Sequence, residues 1–366
     1  MNLVFKDEDY VRIHESLLRS YRNALMKPGK HATFSRLRVL KLHLWGMGPL
    51  LQELESITAN EVRDFINCQN TELYMLKDAH VRCLFMGNIS SEESLQLGTT
   101  VSELIGASGS PGTGDRTLRI PDNWSMLVTE KAINADEENS ALELYIQCGT
   151  AADSYLRSLV DMVDQLMFEP CYDTLRTKEQ LGYTVSSGSR LTHGVMGFGI
   201  FVQSGTHGPM YLDERVETFL TSFGQRLAEM SVEEFEQNRQ SLLKVKKMKD
   251  KSMIEEVERA WDGLVNRGGD FMAKRDEVIA LERLTQTEVI RFYSDNFMPA
   301  GPDSVRKRLA VYVAGKRHLQ EGAIAAEAAP AWITRVIGDV EMFKQECSKR
   351  LESFFYPAII LSSGNT

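Results

Sequence analysis

The residues best equipped for chemistry lie close together in the run EPCYDTLRTKEQLGY, Glu169 to Tyr183, which contains Cys171, Tyr172, Arg176 and Tyr183. A thiol can act as a nucleophile, a phenol can donate a hydrogen bond, and a guanidinium fork can hold a carbonyl or carboxylate. A nucleophilic Cys171 would need a histidine partner, and none is paired with it in sequence, so a structural or half-buried thiol is expected. Taken alone, an Arg or a Tyr is more often a surface ion pair or a core residue. The seven histidines (His14, His31, His43, His80, His193, His207 and His318) include no two spaced four apart, which excludes an H-x-x-E-H metal motif. No metal ligand set is assigned. Gly106 to Asp115 (GASGSPGTGD) is glycine-rich, but no Lys follows Gly114 as a phosphate loop requires, so it reads as a linker. The run from Lys244 to Lys251 is the only dense basic patch, and on its own terms reads as a solvated helix end whose lysines complement the helix dipole.

Stepping outward along the chain, Val11, His14, Leu17, Leu18, Tyr21 and Leu25 keep helical spacing until Pro28-Gly29, and a second apolar helix is predicted from Thr33 to Trp45. Thr58-Ala59-Asn60-Glu61 reads as a capping box, followed by a predicted strand at Val81 to Met86 and a helix capped by Ser90 and Glu93. Beyond the linker the order changes. Strands are predicted near Trp124 to Val128 and at Ala141 to Cys148. Next comes a helix carrying Leu156, Leu159, Val160, Val163, Leu166 and Met167, then a short helix through Arg176 that Gly182 would end in the left-handed conformation. A hairpin joins Tyr183 to Ser189 with Val195 to Gln203. Helices follow, two of them capped at Ser231 and Thr285, and then a strand at Leu309 to Val313. Ile57, Thr58, Glu61, Val62 and Phe65 repeat at Leu284, Thr285, Glu288, Val289 and Phe292, each set leading to a strand closed by Gly. The fold class therefore reads as α+β. Residues 1–105 read as the second half of one module, 106–117 as a linker and 118–366 as a complete module. An unpaired sheet edge in residues 1–105 would seek cover, including by self-association.

The 366 residues carry 42 basic and 51 acidic side chains, a net charge of -9 that repels a nucleic-acid backbone. Five cysteines, odd in number and without a C-x-x-C pair, fit a reducing compartment, and a cytoplasmic location is expected. Neither a membrane span nor a signal peptide is expected, because the sequence contains no long apolar run and the first residues are charged.

The run from Glu169 to Tyr183, with LRTKEQLGY at its centre, closely resembles the C-terminal half of the insulysin, nardilysin and pitrilysin family. The resemblance extends through Leu142 to Cys148, Phe201-Val202-Gln203-Ser204, the helix after Leu284, Val336 to Pro357, and Met86-Gly87-Asn88-Ile89. It implies two-layer modules with an antiparallel-rich sheet packed on helices, and the half without zinc of a zinc metalloendopeptidase that degrades short unfolded peptides. The complete enzyme would use zinc held by an N-terminal half, in the same polypeptide or a separate chain. This chain would bind none and be inactive alone. In that setting Tyr183 donates to the scissile carbonyl as it becomes an oxyanion, and Arg176 holds a substrate backbone carbonyl. Tyr172 stands where relatives carry Phe in a substrate pocket, and Gln203 falls in a second matching segment and is assigned to substrate binding. Lys246, Lys247 and Lys249 correspond to a basic region that binds polyanions. Two other readings stand beside this one, a non-catalytic peptide-binding scaffold and an inactive structural subunit of a processing-peptidase-like complex.

Overall fold

The computed structural model describes residues 5–68, 80–105, 115–299, 305–324 and 326–357, which form two compact units. The first is drawn from Met1–Asn23, Trp45–Gly114 and Asp250–Asp262 and the second from Ala24–Leu44, Asp115–Lys249 and Gly263–Thr366. The Gly/Ser/Pro stretch 106–114 lies outside the described residues.

In the first unit α1 (Asp7–Ala24), α3 (Met47–Ser56), α4 (Ala59–Cys68) and α5 (Ser91–Ile105) are helical. The capping box forms as the sequence predicts: Thr58 N donates to Glu61 Oε2 at 2.8 Å while Glu61 N donates to Thr58 Oγ1 at 3.3 Å. Ser90 and Glu93 repeat the exchange at 2.8 and 3.2 Å. Residues 81–86 do not form the expected strand. A strand is defined by its ladder, and this unit has no other strand among its described residues to supply one.

The second unit is built on a mixed six-stranded sheet, in the order β3-β4-β2-β5-β1-β6. The strands are β1 (Ser125–Lys131), β2 (Ser140–Thr150), β3 (Thr184–Thr192), β4 (Val195–Ser204), β5 (Arg308–Ala314) and β6 (Arg335–Ile337). β5 runs parallel to β1 and antiparallel to β2, so it separates two strands that are neighbours in sequence. One face of the sheet presents Leu142, Leu144, Phe198, Ile200 and Val202 to α6 (Ser154–Tyr172), α7 (Pro209–Glu229) and α11 (Gln286–Asn296) in the main core. On the other face Tyr145, Leu309, Val311 and Val313 pack with Ala32, Val39 and Leu40 of α2 (Pro28–Leu40) and with α12 (Val340–Ser348).

Residues 24–44, grouped with the first segment by sequence, thus belong to the second unit. Pro28 does not merely break the preceding helix, because it opens α2 at a position where its missing N–H costs nothing. The docking is tied by charge, with Arg36 Nε donating to Glu143 Oε1 at 2.6 Å and Thr33 Oγ1 to Glu143 Oε2 at 2.7 Å. Two further buried ionic clusters tie helices to each other and to the sheet. Arg308 of β5 bonds both carboxylate oxygens of Asp213 and, at 2.9 Å, Glu217 of α7. Glu277 of α10 (Ala273–Arg283) receives Arg157, Lys246 and Arg267 at 2.6, 2.9 and 2.7 Å. No helix among the described residues is long and apolar enough to cross a membrane.

Candidate functional site

Helix α6 starts with Asp153 accepting from Tyr155 N and carries Arg157, Leu159, Val160, Met162, Val163, Leu166, Met167 and Cys171 inward. Pro170 lies inside it and has no N–H to give the preceding turn. Just beyond, the helix widens into a π-helical turn, Asp173–Lys178, whose end is marked by Glu179 N reaching back to Thr174 O at 2.9 Å. Arg176 is carried by this turn, in place of the separate short helix expected.

The chain then leaves the helix over five residues. Leu181 N bonds Leu175 O at 3.0 Å, and Gln180, at φ +52°, adopts the left-handed conformation that sequence reasoning assigned to Gly182. Gly182 is needed for a different reason. A Cβ there would lie 1.9 Å from the backbone oxygen of Gln203, so only glycine lets the chain settle against β4. Glu179 is clamped by a two-pronged pair from Arg215 of α7, at 2.8 and 2.9 Å. Between them, the clamp and the close approach fix where Tyr183 leaves the fold.

Tyr183 is 88% exposed, and the Arg176 guanidinium carbon lies 5.6 Å from its ring centre, within cation–π range. Arg176 is half-buried, and its Nε is buried without a hydrogen-bond partner. Its outer nitrogens are the part of the fork available for a carbonyl. Gln203 pairs with Thr184 and passes its backbone oxygen beneath Gly182, so its main chain adjoins the segment that carries Tyr183, whereas its side-chain Oε1 lies on the α2 side of the sheet, 3.5 Å from where a Cβ of Gly29 would stand. Tyr172 is half exposed at the end of α6, one turn earlier.

The basic run is not a single surface. Lys246 is directed inward to Asp161 Oδ2 at 2.6 Å and Glu277 Oε2 at 2.9 Å, and Lys247 bonds Glu282 at 2.6 Å. Lys249 is exposed. A polyanion would have to compete with those carboxylates for two of the three lysines. Cys171 is buried, and burial pushes its thiol up to about 12 against a smaller opposing effect of Ser187, so it is not a thiolate near neutral pH. No cluster of three or more His, Cys, Asp or Glu suited to a metal occurs among the described residues.

The Arg215 to Glu179 clamp and the packing role of Gly182 were not read from the sequence. Arg215 has no local signal, being distant in the chain, whereas a glycine immediately before a strand is a visible hint of close backbone approach.

Residues 162–261 match a family described as PQQ synthase PqqF-like, C-terminal lobe domain 4. A nardilysin-like protein of Arabidopsis thaliana is 28% identical over 96% of this chain and 33% of its own length. The insulin-degrading enzyme of Drosophila melanogaster is 28% identical over 91% of this chain and 34% of its own. Human nardilysin is 29% identical over 85% of this chain and 27% of its own. The chain thus spans about a third of the length of these relatives. Among solved structures, pitrilysin shares the fold with a TM-score of 0.74 at 19% identity, over 94% of this chain and 35% of that one. A peptidase M16 inactive domain from Pseudomonas fluorescens does so with a TM-score of 0.56 at 16% identity, over 85% of this chain and 72% of that one. The chain is thus similar to the C-terminal part of the insulysin, nardilysin and pitrilysin metallopeptidases.

Proposed function

We propose that this chain is the non-zinc half of a zinc endopeptidase acting on short unfolded peptides, and that Tyr183 and Arg176 act on substrate held by an N-terminal half. The observation that carries this is an exposed Tyr183 beside Arg176, rigidly presented by Gly182 and by the Glu179 to Arg215 clamp. A mobile surface tyrosine would need no such support. In this reading zinc is held by the N-terminal half, and this chain contributes binding and charge stabilisation.

The Tyr183 phenol would donate to a peptide carbonyl oxygen as negative charge grows on it, and a pre-positioned donor loses no reorganisation energy at that moment. The Arg176 fork would hold a second backbone carbonyl of the extended substrate, with Tyr172 against a substrate side chain and Gln203 beside the main chain. Lys249, with Lys246 and Lys247 where their carboxylates yield, would receive polyanions. Residues 1–105 would be covered by the N-terminal half or, without it, by a second copy. A cytoplasmic location would fit the cysteine pattern, and the negative charge disfavours a nucleic-acid partner.

The test is peptide turnover by this chain joined to its zinc-bearing half. Tyr183→Phe should lower kcat about a hundredfold to a thousandfold with the fold intact by circular dichroism. Arg176→Lys should impair substrate positioning although it keeps the charge. Unchanged kcat and kcat/KM for Tyr183→Phe would leave the tyrosine structural and favour a peptide-binding scaffold.

A further inference from the structure

Strand β3 lies at the end of the sheet order, with β4 on one side and no strand on the other among the described residues. Its hairpin turn, His193-Gly194, has φ values of +41° and +75°, the signature of a two-residue type I′ turn. That turn makes Thr192 and Val195 a hydrogen-bonded pair, and the register runs unbroken from there to Thr184 opposite Gln203. Alternation then directs the N–H and C=O groups of Thr184, Ser186, Gly188 and Arg190 toward β4, and those of Val185, Ser187, Ser189 and Leu191 toward the outer edge.

One outer position is already closed. Ser189 N donates to Asp164 Oδ2 at 3.1 Å, which agrees with the parity, and Arg190 Nη1 donates to Ser189 O at 3.1 Å. Edge strands are commonly blunted by charged side chains of this kind. Between this cap and Tyr183, Val185 and Ser187 leave a short run of four main-chain groups, and the side chains from Thr184 to Ser187 are uncharged.

We propose that the outer edge of β3 from Val185 to Ser187 binds an extended peptide by main-chain pairing, with Asp164 and Arg190 ending the site at Ser189. A row of alternating backbone donors and acceptors recognises one chemistry, an extended polypeptide. The short free run suits a peptide better than a second copy of β3, which would meet the cap at Ser189 after two residues. The site is continuous with Tyr183 and Arg176, and it depends on the function proposed above only in making that peptide a substrate.

The test uses the full chain and a fluorescently labelled, capped peptide of alternating Thr and Val with a terminal Lys pair, followed by anisotropy. N-methylation removes one peptide N–H at a time. Methylation at every second residue should weaken binding about tenfold or more, while the intervening positions should tolerate it. Hydrogen exchange should slow at Val185 and Ser187 but not at Ser189. Ser187→Pro, which deletes an outward N–H at an edge where proline is tolerated, should abolish binding with the fold intact. Asp164→Ala should free Ser189 and tighten binding.

The proposal is overturned if methylation shows no alternation. It also fails if Ser187→Pro binds like the parent, or if protection at Val185 and Ser187 rises with protein concentration in the absence of peptide, which would identify a second copy as the occupant. Edge binding is read by anisotropy on this chain and the catalytic role by turnover with the zinc-bearing half, so failure of the proposed catalytic role and failure of the edge site give separate results.

Discussion

Helices α1 and α7 are both amphipathic, yet α7 buries Leu212, Val216, Phe219, Leu220, Phe223 and Leu227 whereas α1 buries nothing. Helices α3 and α5 of the first unit also lack buried residues, and Val11 of α1 remains 52% exposed and Leu104 of α5 71%. The sequence patterns of the two regions are alike. What differs among the described residues is the presence of a sheet, since burying each large apolar side chain gives about 1.5–3 kcal/mol only where a second surface exists to receive it. Amphipathicity states which face needs cover, and the rest of the fold decides whether cover arrives.

The largest effect should come from breaking the buried ionic cluster of the second unit. Asp213→Ala strands the Arg308 guanidinium without its nearest carboxylate and should cost about 3–5 kcal/mol in urea unfolding. Val11→Ser in α1 should cost almost nothing by the same measurement, and comparable losses would erase the contrast between the regions. Glycines should separate them next. Gly182→Ala forces a Cβ onto the Gln203 oxygen and should destabilise by about 1–3 kcal/mol. Gly98→Ala in α5, whose nearest neighbour would be Phe85 at 3.9 Å, should stabilise by about 0.5–1 kcal/mol.

Converting Val11 and Leu17 to Glu and Lys should shift stability by no more than about 0.5 kcal/mol while reducing self-association in sedimentation. A clean monomer before substitution would show that the apolar face of α1 needs no partner. The smallest effect concerns pH. Burial pulls the Glu130 carboxyl upward, but hydrogen bonds from His31 and Ser35 outweigh it and hold the group below its ordinary value of 4.5. Its ionised form therefore adds stability above that value, and the contribution fades as pH falls through the lowered folded-state value. Glu130→Gln should be less stable than the parent near neutrality, and the gap should close in acid. A gap that persists unchanged at low pH would show that the carboxylate charge is not its source.

Features set by neighbours in sequence were legible. The boxes at Thr58 and Thr285 and the cap at Ser231 are hydrogen bonds spanning three residues, and the hairpin follows from the short turn between its strands. Arg176 and Tyr183 are singled out because they stand in a long motif, and the structure sets them side by side. Contacts across long stretches of chain were not legible. Nothing near α2 announces that Arg36 will meet Glu143, and nothing near Glu179 announces Arg215. The strand expected at 81–86 had a suitable apolar run, but pairing is a property of two segments. The left-handed residue was misplaced because glycine usually takes that role, and here Gly182 is required for its missing side chain.

The position of β5 has a consequence for the order in which the protein can assemble on the ribosome. β1 and β2 emerge early but never pair, because the place between them is reserved for a strand where Val313 lies opposite Ala141. The hairpin β3-β4 and its pairing with β2 can form as soon as residue 204 has left the exit tunnel, whereas β1 must wait for β5. Until then β1 and one edge of β2 are apolar and unpaired, a nascent state that invites mispairing and slows completion of the fold.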